Sequence, residues 1–204
     1  MITIVDYGLG NIKAFVNVYN RLNIAIKIAH SVADLRASTK IILPGVGDFD
    51  HAMTLINNSG FRETLDDLVL NKKIPVLGIC VGMQILAKSS EEGNLPGLGW
   101  INASVKKFDQ ETIPFKTHLP HMGWNTLDHI VGNKLLNDLE VSPRFYFLHS
   151  YYFDCNNTNN IIASTNYGID FASAVNNVNI YGVQFHPEKS HHNGVQILKN
   201  FGNL

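Results

Sequence analysis

Short runs of apolar residues recur along the first part of the chain, with little alternation of apolar and polar side chains. The runs are Ile2–Val5, Ile24–Ile28, Ile41–Leu43 and Val76–Ile79. Strands that helices cover on both faces typically have this pattern, because neither face meets water. We therefore predict a parallel sheet at the centre of the protein.

Segments with helical periodicity separate these predicted strands. Apolar stripes at helical spacing are formed by Ile12, Phe15, Val16, Tyr19 and Leu22, and by Phe61, Leu65, Leu68 and Val69. Ser31 and Asp34 have the spacing of a capping box at the start of a short helix. Alternating strands and helices predict right-handed βαβ crossovers. The expected fold class is α/β, a mixed but mostly parallel central sheet flanked by helices, in a single domain over residues 1–204.

After about residue 98 the pattern changes to strands with few helices between them. Here we expect antiparallel or mixed pairing. The predicted elements are strands at Trp100–Phe108, Phe145–Phe153, Ile161–Thr165 and Ile180–Phe185, and a closing helix at Val195–Phe201.

Composition and charge disfavour several classes of protein. The 204 residues carry a net charge of -1, whereas nucleic-acid-binding proteins usually have a basic excess. No apolar run approaches the ~20 residues of a membrane span. The first residues reach Asp6 without a basic region, so we expect no signal peptide. Two cysteines, Cys80 and Cys155, do not form a disulfide framework, which favours a reducing cytoplasm.

The strongest local signal is the segment Gly78–Gly82, which has the sequence GICVG. It follows a predicted strand and precedes a predicted helical run, Met83–Lys88, so it has the context of a nucleophile elbow. Glycines on both sides let neighbouring backbones approach, and a helix N-terminus favours a thiolate. Cys80 is therefore the candidate nucleophile. The alternative is a buried core cysteine behind a glycine-rich turn.

A thiol nucleophile needs a base, and His186 follows the last predicted strand in the segment QFHPE. Strand ends are where an α/β sheet presents its ligand crevice. Glu188 is close enough in sequence to orient the imidazole ring, which completes a nucleophile, base and orienting group. The alternative for His186 is a structural histidine.

Another glycine-rich segment, Pro44–Gly47, follows the strand at Ile41–Leu43. Such a loop can turn a backbone N–H toward a developing oxyanion. It could instead bind phosphate, but its sequence, PGVG, fits neither a P-loop nor a dinucleotide fingerprint.

These motifs, in this order, resemble those of the class I (triad-type) glutamine amidotransferases, and the resemblance covers essentially the whole chain. Within that family the chain is similar to the glutaminase subunits of imidazole glycerol phosphate synthase. The segments that carry this closer similarity are DYGLGN at 6–11, PHMGWN at 120–125 and FYFLHSY at 145–151.

The resemblance implies that Cys80, His186 and Glu188 hydrolyse glutamine to glutamate and ammonia through a thioester. It places the oxyanion hole at the backbone N–H groups of Val46 and Val81. It implies no cofactor and no metal.

The resemblance also implies a set of contacts to the glutamine substrate. Gln84 lies one helical turn after Cys80, on the same face, and Glu92 matches a partner for the α-ammonium group. The alternative for Glu92 is a solvated loop charge. The implied substrate-binding residues are Gly47, Gln84, Glu92, Ser150 and Tyr151.

A chain of 204 residues leaves no room for an ammonia-accepting enzyme. The resemblance implies that the acceptor is a separate cyclase, folded as a (β/α)8 barrel, that forms a heterodimer with this chain. It places Trp124, Tyr146 and Lys189 at that interface, near the ammonia passage. The alternative for the two aromatic residues is a place in the core. The close pair His191 and His192 could indicate a metal site, but we favour a solvated helix start.

Other functions use similar motifs. A paralogous glutaminase could supply ammonia for sugar amidation in surface-polysaccharide synthesis, with the same active-site residues. A cysteine peptidase of related fold would share the elbow but leave Gln84 unexplained. A non-catalytic protein of this fold would need neither His186 nor Glu188.

Overall fold

The computed structural model describes residues 1–115 and 118–204, and strands occur in both halves of the chain. In chain order they are β1 (Ile2–Val5), β2 (Ile26–Ala29), β3 (Lys40–Gly45), β4 (Val76–Cys80), β5 (Ser89–Ser90), β6 (Ala103–Lys107), β7 (His121–Thr126), β8 (Arg144–His149), β9 (Tyr151–Cys155), β10 (Ile161–Tyr167), β11 (Ile169–Asn177) and β12 (Ile180–Val183).

Helices connect the parallel strands and close the fold. They are α1 (Ile12–Arg21), α2 (Val32–Leu35), α3 (Phe49–Asn58), α4 (Arg62–Asp66), α5 (Val81–Gln84) and α6 (His191–Asn203). A π-helical turn, Asp67–Asn71, extends α4, and 3-10 turns occupy Gln110–Thr112, Lys134–Leu136, Thr158–Asn160 and Pro187–Lys189. Within the described ranges, no helix is long and apolar enough to cross a bilayer.

The main sheet is mixed, as the sequence predicts. In the order β2-β1-β3-β4-β12 its strands are parallel, and β11, β9 and β6 continue it with antiparallel pairing. At the far edge β5 pairs parallel to β6, β10 pairs with β11, and β7 and β8 form a separate two-stranded sheet.

The position of β4 between β3 and β12 decides where the chemistry can occur. In this register Gly45 pairs with Cys80, and Val183 pairs with Ile79. The carboxyl ends of three parallel strands therefore meet at one edge of the sheet, where α/β folds bind ligands. The PGVG loop, the elbow and the segment that leads to His186 all leave the sheet there.

Most predicted elements are confirmed, with shifted bounds. The first strand is correct, and the capping box is present, since Ser31 Oγ accepts from Asp34 N and Ser31 N donates to Asp34 Oδ2. The second strand begins later than predicted because Asn23 has a positive φ of 55° and Ile24 N still donates to Tyr19 O at the end of α1.

Two element predictions are wrong. The helix after the elbow is Val81–Gln84 rather than Met83–Lys88, because residues 85–88 form turns that lead into β5. The predicted strand Phe145–Phe153 is two strands in different sheets, with Ser150 between them. Phe145, Phe147 and Phe153 are buried at odd-numbered positions on both sides of Ser150, so their apolar alternation gives no sign of the break.

The helix α3 is an element that our sequence analysis missed. Its buried residues Phe49, Ala52, Met53 and Ile56 follow i, i+3, i+4, i+7 spacing, and Asp48 caps it by accepting from His51 N. This spacing could therefore have predicted the helix from the sequence.

Candidate active site

Cys80 lies at the turn between β4 and α5, in a conformation that L-residues rarely adopt. Its φ is 55° and its ψ is -114°, and such a strained backbone costs about 1–3 kcal/mol. The flanking glycines make the turn possible, because a Cβ on Gly82 would collide with the Leu43 carbonyl oxygen and one on Gly78 with the Gly82 carbonyl oxygen. The geometry is that of a nucleophile elbow.

His186 and Glu188 form a buried pair beside this turn. His186 Nδ1 lies 2.9 Å from Glu188 Oε1, and both side chains are 3% exposed. Burial disfavours the imidazolium, but hydrogen bonds and charge from Cys80 and Glu188 outweigh it and raise the pKa of His186 to about 10. With Nδ1 engaged by Glu188, the imidazole presents its Nε2 edge to the thiol. The arrangement can therefore move a proton between sulfur and imidazole.

The sulfur has further polar neighbours. Cys80 Sγ lies 3.8 Å from the Leu148 carbonyl oxygen and 3.8 Å from Gln184 Nε2. The Gln184 side chain is fully buried, and its amide can donate toward a negative charge on sulfur. Our sequence analysis did not assign a role to Gln184, although it lies in the same segment as His186.

A cavity of about 280 Å³ opens over the elbow, close to the smallest volumes typical of small-molecule sites. Its lining brings together the nucleophile, the base and every residue that the resemblance assigned to glutamine or to the oxyanion hole. The lining residues are Val46, Gly47, Cys80, Val81, Gln84, Glu92, Pro120, Leu148, His149, Ser150, Tyr151, His186 and Lys189.

Gln84 and Glu92 are both held by specific contacts at the cavity. Gln84 Nε2 lies 3.1 Å from the Tyr151 carbonyl oxygen and 3.2 Å from Gln184 Oε1. Glu92 Oε2 accepts from Phe49 N at 2.9 Å, so it binds the N-terminal end of α3. Burial raises the pKa of Glu92, and the Phe49 hydrogen bond opposes that shift. Glu92 is therefore a fixed carboxylate at the cavity rather than a freely solvated loop charge.

Two buried histidines next to the cavity were missed as site residues, although both lie in quoted motifs. His149 Nδ1 donates to the Tyr151 carbonyl oxygen at 2.8 Å, which fixes Nε2 as an acceptor 3.0 Å from His121 Nδ1. His121 Nε2 in turn lies 3.3 Å from Asn125 Nδ2. The chain of donors requires both rings to be neutral. It holds the carbonyl that also receives Gln84.

The two neutral histidines predict a pH dependence of stability. Burial lowers the pKa of His121 to about 4; burial and the charge of His121 lower that of His149 to about 3. In the unfolded chain both would titrate near 6.5. The unfolded state thus binds more protons below about pH 6.5, and the free energy of unfolding falls as pH decreases toward 4. The expected slope is measured by urea unfolding between pH 7 and 4.

A variant can assign this slope to the pair. His149→Asn keeps a donor for the Tyr151 carbonyl but removes one titration, so the slope should become shallower. His51→Asn, on the exposed side of α3, is the matched substitution away from the pair, and its slope is the reference for His149→Asn. An unchanged slope in His149→Asn would show that the pair does not cause the effect.

The residues assigned to the partner interface form a surface beside the cavity. Trp124 on β7 pairs with Tyr146 on β8, with ring centroids 6.2 Å apart, and Trp124 is 38% exposed. Lys189 Nζ lies 5.6 Å from the Tyr146 ring centroid. A place in the core is therefore wrong for Trp124, and Tyr146 is half-buried.

The close histidines at the start of α6 have other contacts. The ring of His191 stacks on Trp124, with centroids 4.9 Å apart, and His192 Nε2 lies 2.7 Å from Glu140 Oε2. Both are exposed, as expected for a solvated helix start. Across the described residues, no group of three or more His, Cys, Asp or Glu side chains is arranged to hold a metal ion. Cys155, at the end of β9, is buried, and burial raises its pKa to about 12.

Comparison with known proteins agrees with this geometry. Residues 3–203 match the model of the glutamine amidotransferase class-I family. The chain is 56% identical over 206 residues to the imidazole glycerol phosphate synthase subunit HisH of Bdellovibrio bacteriovorus, and 56% identical over 204 residues to that of Leptospira interrogans, with 100% of each chain covered. A solved structure of a glutamine amidotransferase matches with a TM-score of 0.74 and 19% identity, covering 100% of this chain and 99% of that chain. That likeness supports the fold.

Proposed function

The chain belongs to the class-I glutamine amidotransferase family, and from this premise we propose that it is the glutaminase subunit of an imidazole glycerol phosphate synthase. It hydrolyses L-glutamine to glutamate and ammonia. The observation that carries the proposal is the junction of Cys80, His186 and Glu188 at a cavity with Gln84 and Glu92 on its wall. Relatives that are 56% identical over their full length carry the subunit's name.

The first half of the reaction forms a thioester. His186 takes the proton of Cys80, and Glu188 holds the resulting imidazolium. The sulfur attacks the side-chain amide carbon of glutamine, and the carbonyl electrons move to oxygen. Backbone N–H groups of Val46 and Val81 stabilise that oxyanion, and losing one such donor costs ~10²–10³ in rate. The C–N bond then breaks, and His186 delivers its proton to the leaving nitrogen, which departs as ammonia.

The second half regenerates the enzyme. A water molecule gives its proton to His186 and attacks the γ-glutamyl thioester carbon. The C–S bond breaks, glutamate leaves, and His186 returns the proton to the Cys80 sulfur. The same ring therefore acts once as a base and once as an acid in each half-reaction.

Residues of the cavity wall outside the catalytic triad and the oxyanion hole bind the glutamine substrate. The Glu92 carboxylate receives the α-ammonium group of glutamine, since it is a fixed acceptor at the cavity. Gln84, Gly47, Ser150 and Tyr151 contact the rest of the substrate. The support for these roles is their shared position on the wall and the resemblance at the same positions.

Ammonia is consumed by a (β/α)8 cyclase subunit that binds this chain as a heterodimer. The cyclase combines it with a ribulosyl phosphate substrate and yields imidazole glycerol phosphate and an aminoimidazole carboxamide ribotide. The cyclase contacts a surface formed by Trp124, Tyr146 and Lys189. The position of this surface beside the cavity supports the assignment, because Lys189 lines the cavity and also contacts the Tyr146 ring.

The thiol chemistry also bears on where the protein works. A catalytic thiol works only when reduced, and both cysteines are free, so we place the protein in the reducing cytoplasm.

The packing bears on the domain organisation. Buried side chains from both halves of the chain join one hydrophobic cluster, which supports a single domain over 1–204.

Complementation tests which pathway uses the ammonia. A histidine-requiring strain that lacks its own glutaminase subunit is supplied with this gene and the matching cyclase gene. Growth without histidine is the expected result. No growth, although both proteins are soluble and glutamate is released, would contradict the histidine role and favour the sugar-amidating paralogue. Peptide cleavage without glutaminase activity would instead favour the peptidase.

A further inference from the structure

The segment DYGLGN, at 6–11, follows β1 and lies beside the PGVG loop. β1 pairs with β3 only as far as Ile4 and Ile42. Beyond that point no β1 residue pairs with β3, and the loop after β1 occupies the space. Gly10 lies against Pro44, with a φ of 94°, and a Cβ there would be 2.5 Å from Pro44 Cβ. The close approach explains the glycine.

Tyr7 makes the polar contact between these two loops. Its side chain is 5% exposed, and its hydroxyl donates to the Pro44 carbonyl oxygen at 2.5 Å. This bond takes the place of the ladder hydrogen bond that β1 would supply if it were longer. Burial raises the pKa of Tyr7, and the charge of nearby Cys80 raises it further, so the hydroxyl remains a donor.

The Pro44 carbonyl belongs to the peptide that enters the oxyanion loop. On the opposite side of β3 from Tyr7, the next residue, Gly45, pairs with Cys80 on β4. Past this point the loop is open: Val46 is 40% exposed, and a Cβ on Gly47 would meet nothing within 4 Å. The fixed part of the loop therefore ends at Gly45, after the Pro44 carbonyl that Tyr7 holds, and the Val46 N–H belongs to the peptide that follows.

We propose that Tyr7 is a positioning residue for the oxyanion hole: its hydroxyl fixes the Pro44 carbonyl, and this sets the direction in which the Val46 N–H points. The inference rests on the proposed glutaminase function. The Tyr7 hydroxyl bonds to the loop and not to the substrate. Tyr7 therefore affects the stability of the transition state, in which the oxyanion exists, more than it affects the binding of glutamine.

The test replaces Tyr7 by phenylalanine, which keeps the ring and removes the hydroxyl. A matched control exists in Tyr19→Phe, because Tyr19 is fully buried and its hydroxyl donates to the Leu198 carbonyl oxygen at 3.0 Å, away from the cavity. Both variants should lose Tm to a similar degree. In the complex with the cyclase, Tyr7→Phe should lower kcat for glutamine hydrolysis ~10-fold with KM nearly unchanged, and Tyr19→Phe should keep wild-type kcat.

An aldehyde analogue of glutamine, glutamate γ-semialdehyde, gives a second readout. Cys80 adds to its carbonyl and forms a tetrahedral adduct that carries the oxyanion, so its inhibition constant should rise ~10-fold in Tyr7→Phe, in parallel with the loss of kcat. p-Aminophenylalanine at position 7 retains an N–H donor and should restore most of the lost kcat.

The outcomes separate this inference from the proposed function. If the wild-type complex releases no glutamate, the glutaminase proposal is wrong and this inference with it. If the wild type is active and Tyr7→Phe has wild-type kcat and wild-type inhibition by the aldehyde, only the positioning role is wrong. A rise in KM at constant kcat would also overturn it.

Discussion

Cys80→Ala is expected to lower glutamate release by ~10⁴-fold or more, because removing the nucleophile of a catalytic triad leaves only binding and oxyanion stabilisation. The elbow places this sulfur on a strained turn beside His186, and no other described thiol lies at the cavity. Glutamate is measured enzymatically in the complex with the cyclase. Binding of the variant to the cyclase should remain near wild type, since Cys80 is buried within its own chain.

Cys155→Ala is the matched control for this substitution. Cys155 is also a buried free cysteine, but it lies at the end of β9 and does not line the cavity. It should therefore keep wild-type turnover. Glutaminase activity that persists in Cys80→Ala would contradict the thioester mechanism, and equal loss in both variants would indicate a folding defect.

The isolated glutaminase is expected to hydrolyse glutamine ~10²–10³-fold more slowly than its complex with the cyclase and acceptor ligand, which is the cost of one missing oxyanion donor. The structural reason lies in the PGVG loop. Val46 is 40% exposed and Gly47 has a φ of 94° with open space around it, so a partner surface can reorient this segment. Rates are compared by steady-state kinetics at saturating glutamine.

The cyclase with acceptor ligand, assayed without this chain, is the blank for that comparison. The complex of Cys80→Ala with the cyclase controls for glutamate from other sources. If the isolated chain were as fast as the complex, the oxyanion hole would be complete at rest and the partner would not switch it.

Local patterns predicted the central features of the fold and of the site. Cys80 could be found because an elbow needs glycines at fixed offsets and a strand before it. The parallel strands could be found because their apolar runs are continuous. The capping box of Ser31 and Asp34 also depends on one short stretch of chain, and the structure confirms that prediction.

Features that depend on distant parts of the chain could not be predicted in this way. His121 and His149 meet only because β7 and β8 pair in the register that places them opposite each other. Tyr7 reaches Pro44 because β1 is shorter than β3, and Gln184 reaches the sulfur through the register of β12 with β4. No periodicity within a single segment encodes these contacts.

One measurement tests most directly whether this chain makes ammonia for a second enzyme. The purified complex with the cyclase is assayed for imidazole glycerol phosphate formation from the ribulosyl phosphate substrate, with either glutamine or an ammonium salt as nitrogen source. The wild-type complex should use both, and the complex with Cys80→Ala should use ammonium while losing the glutamine-dependent reaction. Glutamine-dependent product in the Cys80→Ala complex, or a wild-type complex that uses ammonium but not glutamine, would contradict the claim.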